Sequence, residues 1–175
     1  MVNRYANSGL SLIELLISVS IVSILMTVGV PAFMELNEER KLRGATEGAY
    51  FFLQQAKSEA ITQATDITVD LVQGDSWCLG INDSGSCSCN ISSSCTVNGI
   101  EMVFNYEDYP EVSMSDLTFG DSDQTSFDGV RGIASGNSGS FILSNSDTEA
   151  KVLLSNMGRA RICVVSGSLG NYPSC

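Results

Sequence analysis

The sequence contains no histidine, three prolines, one tryptophan, and nine lysines and arginines against twenty acids. Each shortage excludes something. Without histidine there is no Ser–His or Cys–His pair for nucleophilic catalysis, and no Gly-x-Ser-x-Gly elbow appears. A phosphate loop and a dinucleotide fingerprint are missing as well. Carboxylates are plentiful, but nothing singles out an acid–base pair, so the chain does not read as an enzyme and no cofactor is expected. Between Ser58 and Val130 there are thirteen Asp or Glu and no Lys or Arg, and the net charge is −11. A broad phosphate-binding surface needs clustered bases, which argues against nucleic acid as the main partner. The excess of acids favours solubility and raises the question of a divalent cation. Asp121-Ser122-Asp123 with Asp128 offers oxygen ligands, but it lacks the Gly and the terminal Glu of a calcium loop. It reads as a solvated turn, and no metal site is assigned.

What the chain does have begins at its N-terminus. From Leu10 to Phe33 the only charge is Glu14. At about 1.5 Å per residue the run is some 36 Å long, enough to cross a hydrocarbon core of roughly 30 Å. A carboxylate inside such a run costs on the order of 2.5–3.5 kcal/mol on insertion scales, so it needs a reason. The preceding Met1 to Gly9 is polar with one base, Arg4, and no ordinary secretory cleavage site follows the run. Arg40, Lys41 and Arg43 on the far side favour the opposite orientation on a simple positive-inside count, although Glu35, Glu38 and Glu39 break up that cluster.

Six cysteines, Cys78, Cys87, Cys89, Cys95, Cys163 and Cys175, all follow the apolar run. An even number placed beyond a membrane anchor reads as disulfides in an oxidising compartment. Zinc fits less well, because Cys87-Ser88-Cys89 is Cys-x-Cys, histidine is absent and no second knuckle appears. Spacing leaves fifteen connectivities open.

Past the run, Leu42, Ala45, Ala49, Phe52, Leu53, Ala56, Ala60 and Ala64 recur at helical spacing, with a stop at Thr65-Asp66. Pro31, with Gly29 nearby, removes one donor and frees the carbonyl of Thr27. Short strands and turns follow. Strands are expected at Ile67–Leu71, Ser76–Ile81, Ile100–Tyr106, Leu117–Phe119, Gly139–Ser144, Lys151–Ser155 and Ala160–Val165, and Asn82–Gly99 reads as a stapled surface loop. The expected class is α+β, a long N-terminal helix packed against an antiparallel sheet. The division reads 1–9, 10–33, 34–65 and 66–175.

Gly9-Leu10-Ser11-Leu12-Ile13-Glu14 resembles the processing motif of type IV pilins and of type II secretion pseudopilins. Glu14 stands fifth and Pro31 twenty-second after the cut, as in that family; Leu10 departs from its usual Phe. Further on, Gln55-Ala56-Lys57-Ser58-Glu59-Ala60-Ile61, Ser76-Trp77-Cys78-Leu79-Gly80, Phe127-Asp128-Gly129 and Gly158-Arg159-Ala160-Arg161-Ile162-Cys163 look like the GspH/FimT type of minor pilin or pseudopilin.

The resemblance implies a prepilin leader, 1–9, cut after Gly9 by prepilin peptidase, and N-methylation of Leu10. Residues 10–33 then form a transmembrane and filament-core helix, 34–65 its amphipathic continuation, and 66–175 a β-rich head. Glu14 is expected to pair with the freed amine of Leu10 on a neighbouring subunit, and the helix near Pro31 to unwind on assembly. A Cys163–Cys175 disulfide is expected to tie down a C-terminal loop. Implied partners are other major and minor pilins or pseudopilins, with inner-membrane lipid before assembly and the head in the periplasm. Members used in DNA uptake carry Gly-Arg-x-Arg, which makes Arg159 and Arg161 a DNA contact to weigh against ordinary ion pairing; an acidic body disfavours DNA. Priming of a type IV pilus and service in protein export share the same stalk.

Overall fold

A computed structural model describes residues 11–120, 123–134 and 136–175, with the backbone alone at 28–32 and 35. Gly9, Leu10, Asp121 and Ser122 lie outside the described residues. The chain divides into two compact units, Met1–Asn37 and Glu38–Cys175.

The first unit carries the start of helix α1 (Leu12–Gln63). Ser11 opens it, its carbonyl accepting the N–H groups of Glu14 and Leu15. Residues 11–27 are all exposed. Their hydroxyls turn inward onto the helix itself: Ser18, Ser20 and Ser23 donate to the carbonyls of Glu14, Leu16 and Val19, and Thr27 donates to Ile24. Such back-bonding hides polar groups from an apolar surrounding. The helix runs through Pro31, since losing one donor leaves neighbouring bonds to carry the turn. Among the described residues no helix is long and apolar enough to cross a membrane. The apolar run read from the sequence also includes Leu10 and 28–32, whose side chains are outside that set.

In the second unit α1 turns one stripe inward. Leu42, Ala45, Ala49, Leu53, Ala56 and Ala60 are buried, as the helical period requires. Phe52 is half-buried and Ala64 is exposed. Ala64 is not a helical position. It takes φ 50° just after the last turn, with Thr65 N–H bonded to Ala60 and Ala64 N–H to Ile61. That is a Schellman stop built without the usual glycine.

Among the described residues ten strands follow: β1 (Ile67–Val72), β2 (Cys78–Asn82), β3 (Thr96–Val97), β4 (Ile100–Glu101), β5 (Val103–Asn105), β6 (Ser113–Ser115), β7 (Gln124–Phe127), β8 (Gly139–Ser144), β9 (Glu149–Leu154) and β10 (Ala160–Ser166). They make two antiparallel sheets, ordered β5-β2-β1-β7 and β10-β9-β8-β6, and a small β3-β4 ribbon. A bridge between Gly74 and Met114 joins the two sheets. The α+β class stands. The core is shared by the helix stripe and both sheets, with Trp77, Phe119, Phe127 and Phe141 fully buried. Trp77 donates its indole N–H to Val112 O at 2.8 Å, so its burial leaves no unpaired donor.

Several expected strands are displaced. Ile100–Tyr106 breaks into β4, β5 and a 3-10 turn at Tyr106–Asp108, because Asn105 caps that turn through Glu107 N–H. Leu117–Phe119 is irregular, held instead by Thr118 against Ser140. The loop 82–99 contains β3, which turns into β4 at Asn98-Gly99, both at positive φ as a two-residue hairpin demands. The strands β6 and β7 were not expected; each is short and mostly polar, Ser-Met-Ser and Gln-Thr-Ser-Phe. All six cysteines pair: Cys78–Cys89, Cys87–Cys95 and Cys163–Cys175. Cys87–Cys95 lies over Gly80, where any side chain on β2 would collide with Cys95.

Candidate functional site

Two places carry the residues that the sequence singles out. The first is the start of α1. Glu14 sits exposed in the first helical turn, where the helix dipole favours a carboxylate. Its side chain meets no partner among the described residues, and the proposed one, Leu10, lies outside them.

The second lies in the Glu38–Cys175 unit. Helix α1 supplies Glu47, Tyr50 and Phe51; Arg159 and the first residues of β10, Ala160 to Ile162, supply the facing wall; and the C-terminal tail supplies Tyr172. Together they line a cleft of about 570 Å³. A second hollow of about 650 Å³ also uses Arg159 and Arg161, together with Ser140 of β8 and Leu153 of β9. Both arginines are exposed. Among the described residues the ion pairs are Lys41–Glu111 and Arg43–Glu47, each at 2.8 Å. Neither pair includes Arg159 or Arg161.

The motif preceding the arginines has a packing reason. Gly158 adopts φ 67°, and a Cβ there would fall 2.2 Å from Gly132 O. Its carbonyl accepts Lys57 Nζ at 3.1 Å, which fastens the turn to the helix. Phe127-Asp128-Gly129 works alike: Phe127 is buried, Asp128 accepts the N–H of Val130 and of Arg131, and Gly129 N–H donates to Asp66. Asp128 is thus occupied as a turn residue. Among the described residues no group of three or more His, Cys, Asp or Glu could hold a metal.

The tail closes one side of the cleft. Cys163–Cys175 ties it, Val164 N–H donates to Pro173 O, and Cys175 N–H donates to Val164 O. Leu169 is buried, Gly170 N–H reaches Glu39 at 3.3 Å, and Tyr172 OH donates to Glu47 at 2.7 Å. The Glu47 carboxyl is held below its usual pKa by the hydrogen bond from Arg43 and then by that from Tyr172. Burial, followed by the carboxylate of Glu47, pushes the Tyr172 hydroxyl up. Glu47 likewise raises Arg43.

Glu47, Tyr50, Phe51 and Tyr172 were not anticipated as site residues. A signal existed. Three successive aromatics, Tyr50-Phe51-Phe52, cannot all face one side of a helix, and Phe51 is 64% exposed.

The family model "Type II transport protein GspH" matches residues 46–164, and the model "Prokaryotic N-terminal methylation motif" matches residues 4–30. The fold resembles the type IV minor pilin FimU of Pseudomonas aeruginosa in two crystal forms. One has TM-score 0.50 at 19% identity, covering 81% of this chain and 96% of that one. The other has TM-score 0.45 at 19% identity, covering 68% and 90%. No curated protein sequence matches. The GspH model covers well over half of the chain, across the buried helix stripe and both sheets, and so the chain belongs to the GspH family of pilin-like proteins, with an N-terminal methylation motif.

Proposed function

We propose that the chain is a minor pilin or pseudopilin subunit that primes a type IV pilus or a pilus-like filament. The observation that carries this reading is one helix with two surfaces. Residues 12–27 expose Leu12, Ile13, Leu15, Leu16 and Ile17 with one carboxylate among them, whereas Leu42 to Ala60 bury a stripe under the sheets. An apolar surface of this kind needs lipid before assembly and neighbouring helices afterwards. The leader is cut after Gly9 by prepilin peptidase, Leu10 is methylated, and residues 10–33 hold the subunit in the inner membrane with the head in the periplasm. Glu14 then pairs with the amine of Leu10 on an adjacent subunit. Taking both charges out of water is favourable only when they meet, so the pair selects register.

The test compares wild type with Glu14→Ala in sheared filaments and in membranes. Glu14→Ala is expected to be processed and membrane-bound yet absent from filaments. Wild-type incorporation by Glu14→Ala would contradict the role. Deletion separates the machines: loss of piliation marks a pilus subunit, and loss of protein export marks a pseudopilin.

A further inference from the structure

We infer that the open edge of β10 at Ala160–Ile162 is a docking strip for an extended, acidic segment of another protein, added as one more strand. The backbone geometry points there first. Ser155 N–H bonds to Arg159 O, so the residues of β10 that face β9 are Arg161 and Cys163, while Ala160, Ile162 and Val164 turn their N–H and C=O outward. Val164 shows what that edge accepts. Its outward groups bond Pro173 and Cys175, and Val164 bridges Ser174 in parallel, so the tail of the chain already pairs with one end of this edge.

The other end has no such backbone partner among the described residues. The outward groups of Ala160 and Ile162 find no partner among the described residues; both residues line the 570 Å³ cleft, Ile162 half-buried and Ala160 buried at its wall. Edges like this are usually blunted by charge, proline or a covering loop. Here the tail pairs with only one end of the edge.

The chemistry of the occupant follows from what rims the strip. Arg159 and Arg161 alternate and therefore stand on one face of the strand, exposed and, among the described residues, without an ion pair. An added strand with acids at alternate positions would set them beside the arginines. Among the described residues that line the cleft the one carboxylate, Glu47, is held by Arg43 and Tyr172. Phe51 offers an exposed ring to the side chains between the acids. Backbone pairing supplies affinity, and the arginines and ring supply choice. Nucleic acid would use the arginines but has no need of the outward N–H and C=O groups.

The full-length protein in detergent is titrated against a capped, fluorescein-labelled peptide, Thr-Glu-Val-Glu-Val-Glu-Thr, and anisotropy is read at low and moderate salt. Three comparisons accompany it: the peptide with alternate backbone amides N-methylated, the peptide with Lys for Glu, and a labelled single-stranded oligonucleotide. Binding is expected to fall at least tenfold on N-methylation, on Lys replacement, and in Arg159→Gln/Arg161→Gln. The variant Ile162→Pro removes an outward donor without touching a bond to β9, and a similar loss is expected. No peptide binding at low salt, binding indifferent to N-methylation, or oligonucleotide binding in place of peptide binding would each overturn the inference.

Discussion

Tyr172, near the C-terminus, donates a 2.7 Å hydrogen bond to Glu47 on the helix, and Arg43 reaches the same oxygen at 2.8 Å. This contact fixes the tail over the stalk from a distance of 125 residues in sequence. Removing the hydroxyl alone, in Tyr172→Phe, leaves the ring in place and is expected to cost about 1 kcal/mol, the net worth of one such bond. Chemical denaturation of the full-length protein in detergent measures it.

The same triad sets a pH signature with two limbs. Glu47 titrates below its unfolded value in the folded chain, so its contribution is present at neutral pH and is lost as pH falls through the lowered pKa. Tyr172 titrates above its unfolded value, so its contribution holds below the usual tyrosine range and is lost as pH rises through the raised pKa. Glu47→Gln is expected to flatten the acid limb, and Tyr172→Phe the alkaline one. A pH series of midpoints that keeps both limbs in both variants would contradict the assignment.

Disulfide removal should be felt through the tail. Cys163 and Cys175 are 12 residues apart, and their bond keeps Leu169 buried and Tyr172 on the helix. Cys163→Ser/Cys175→Ser is expected to cost about 3 kcal/mol on the loop-entropy scale. Protease mapping should then cut first within residues 166–175.

Helix glycines make a sharper test of packing. A Cβ at Gly48 would lie 2.5 Å from the ring of Phe104, which stacks among Phe52, Trp77 and Tyr109. Overpacking costs roughly 1–3 kcal/mol, against about 1 kcal/mol gained in helix propensity. Gly48→Ala should therefore destabilise, by about 1 kcal/mol. At the helix stop the sign reverses: Ala64→Gly, at φ 50°, should stabilise by about 1 kcal/mol. Finding both variants neutral would contradict the backbone described here.

The helix stripe from Leu42 to Ala60 was legible because burial on one side imposes a period that sequence displays directly. Strand β1 was legible for a related reason, its apolar residues alternating with period two, and β8 and β10 carry apolar stretches beside turn residues. By contrast β6 and β7 are three and four residues long and rich in Ser, Thr and Gln. Their pairing comes from β8 and β1, which no local pattern encodes. At the candidate site, Arg159 and Arg161 announced themselves by alternation after Gly158. Glu47, Tyr50 and Tyr172 did not, since what brings them together is a contact between the helix and a tail more than a hundred residues away.

The central claim is that the chain is a processed filament subunit, and the mature N-terminus tests it most directly. Intact and peptide-level mass spectrometry of the protein purified from membranes is predicted to show a chain that begins at N-methylated Leu10 and lacks residues 1–9. A chain that retains Met1 to Gly9, with an unmodified Leu10 inside it, would contradict the account.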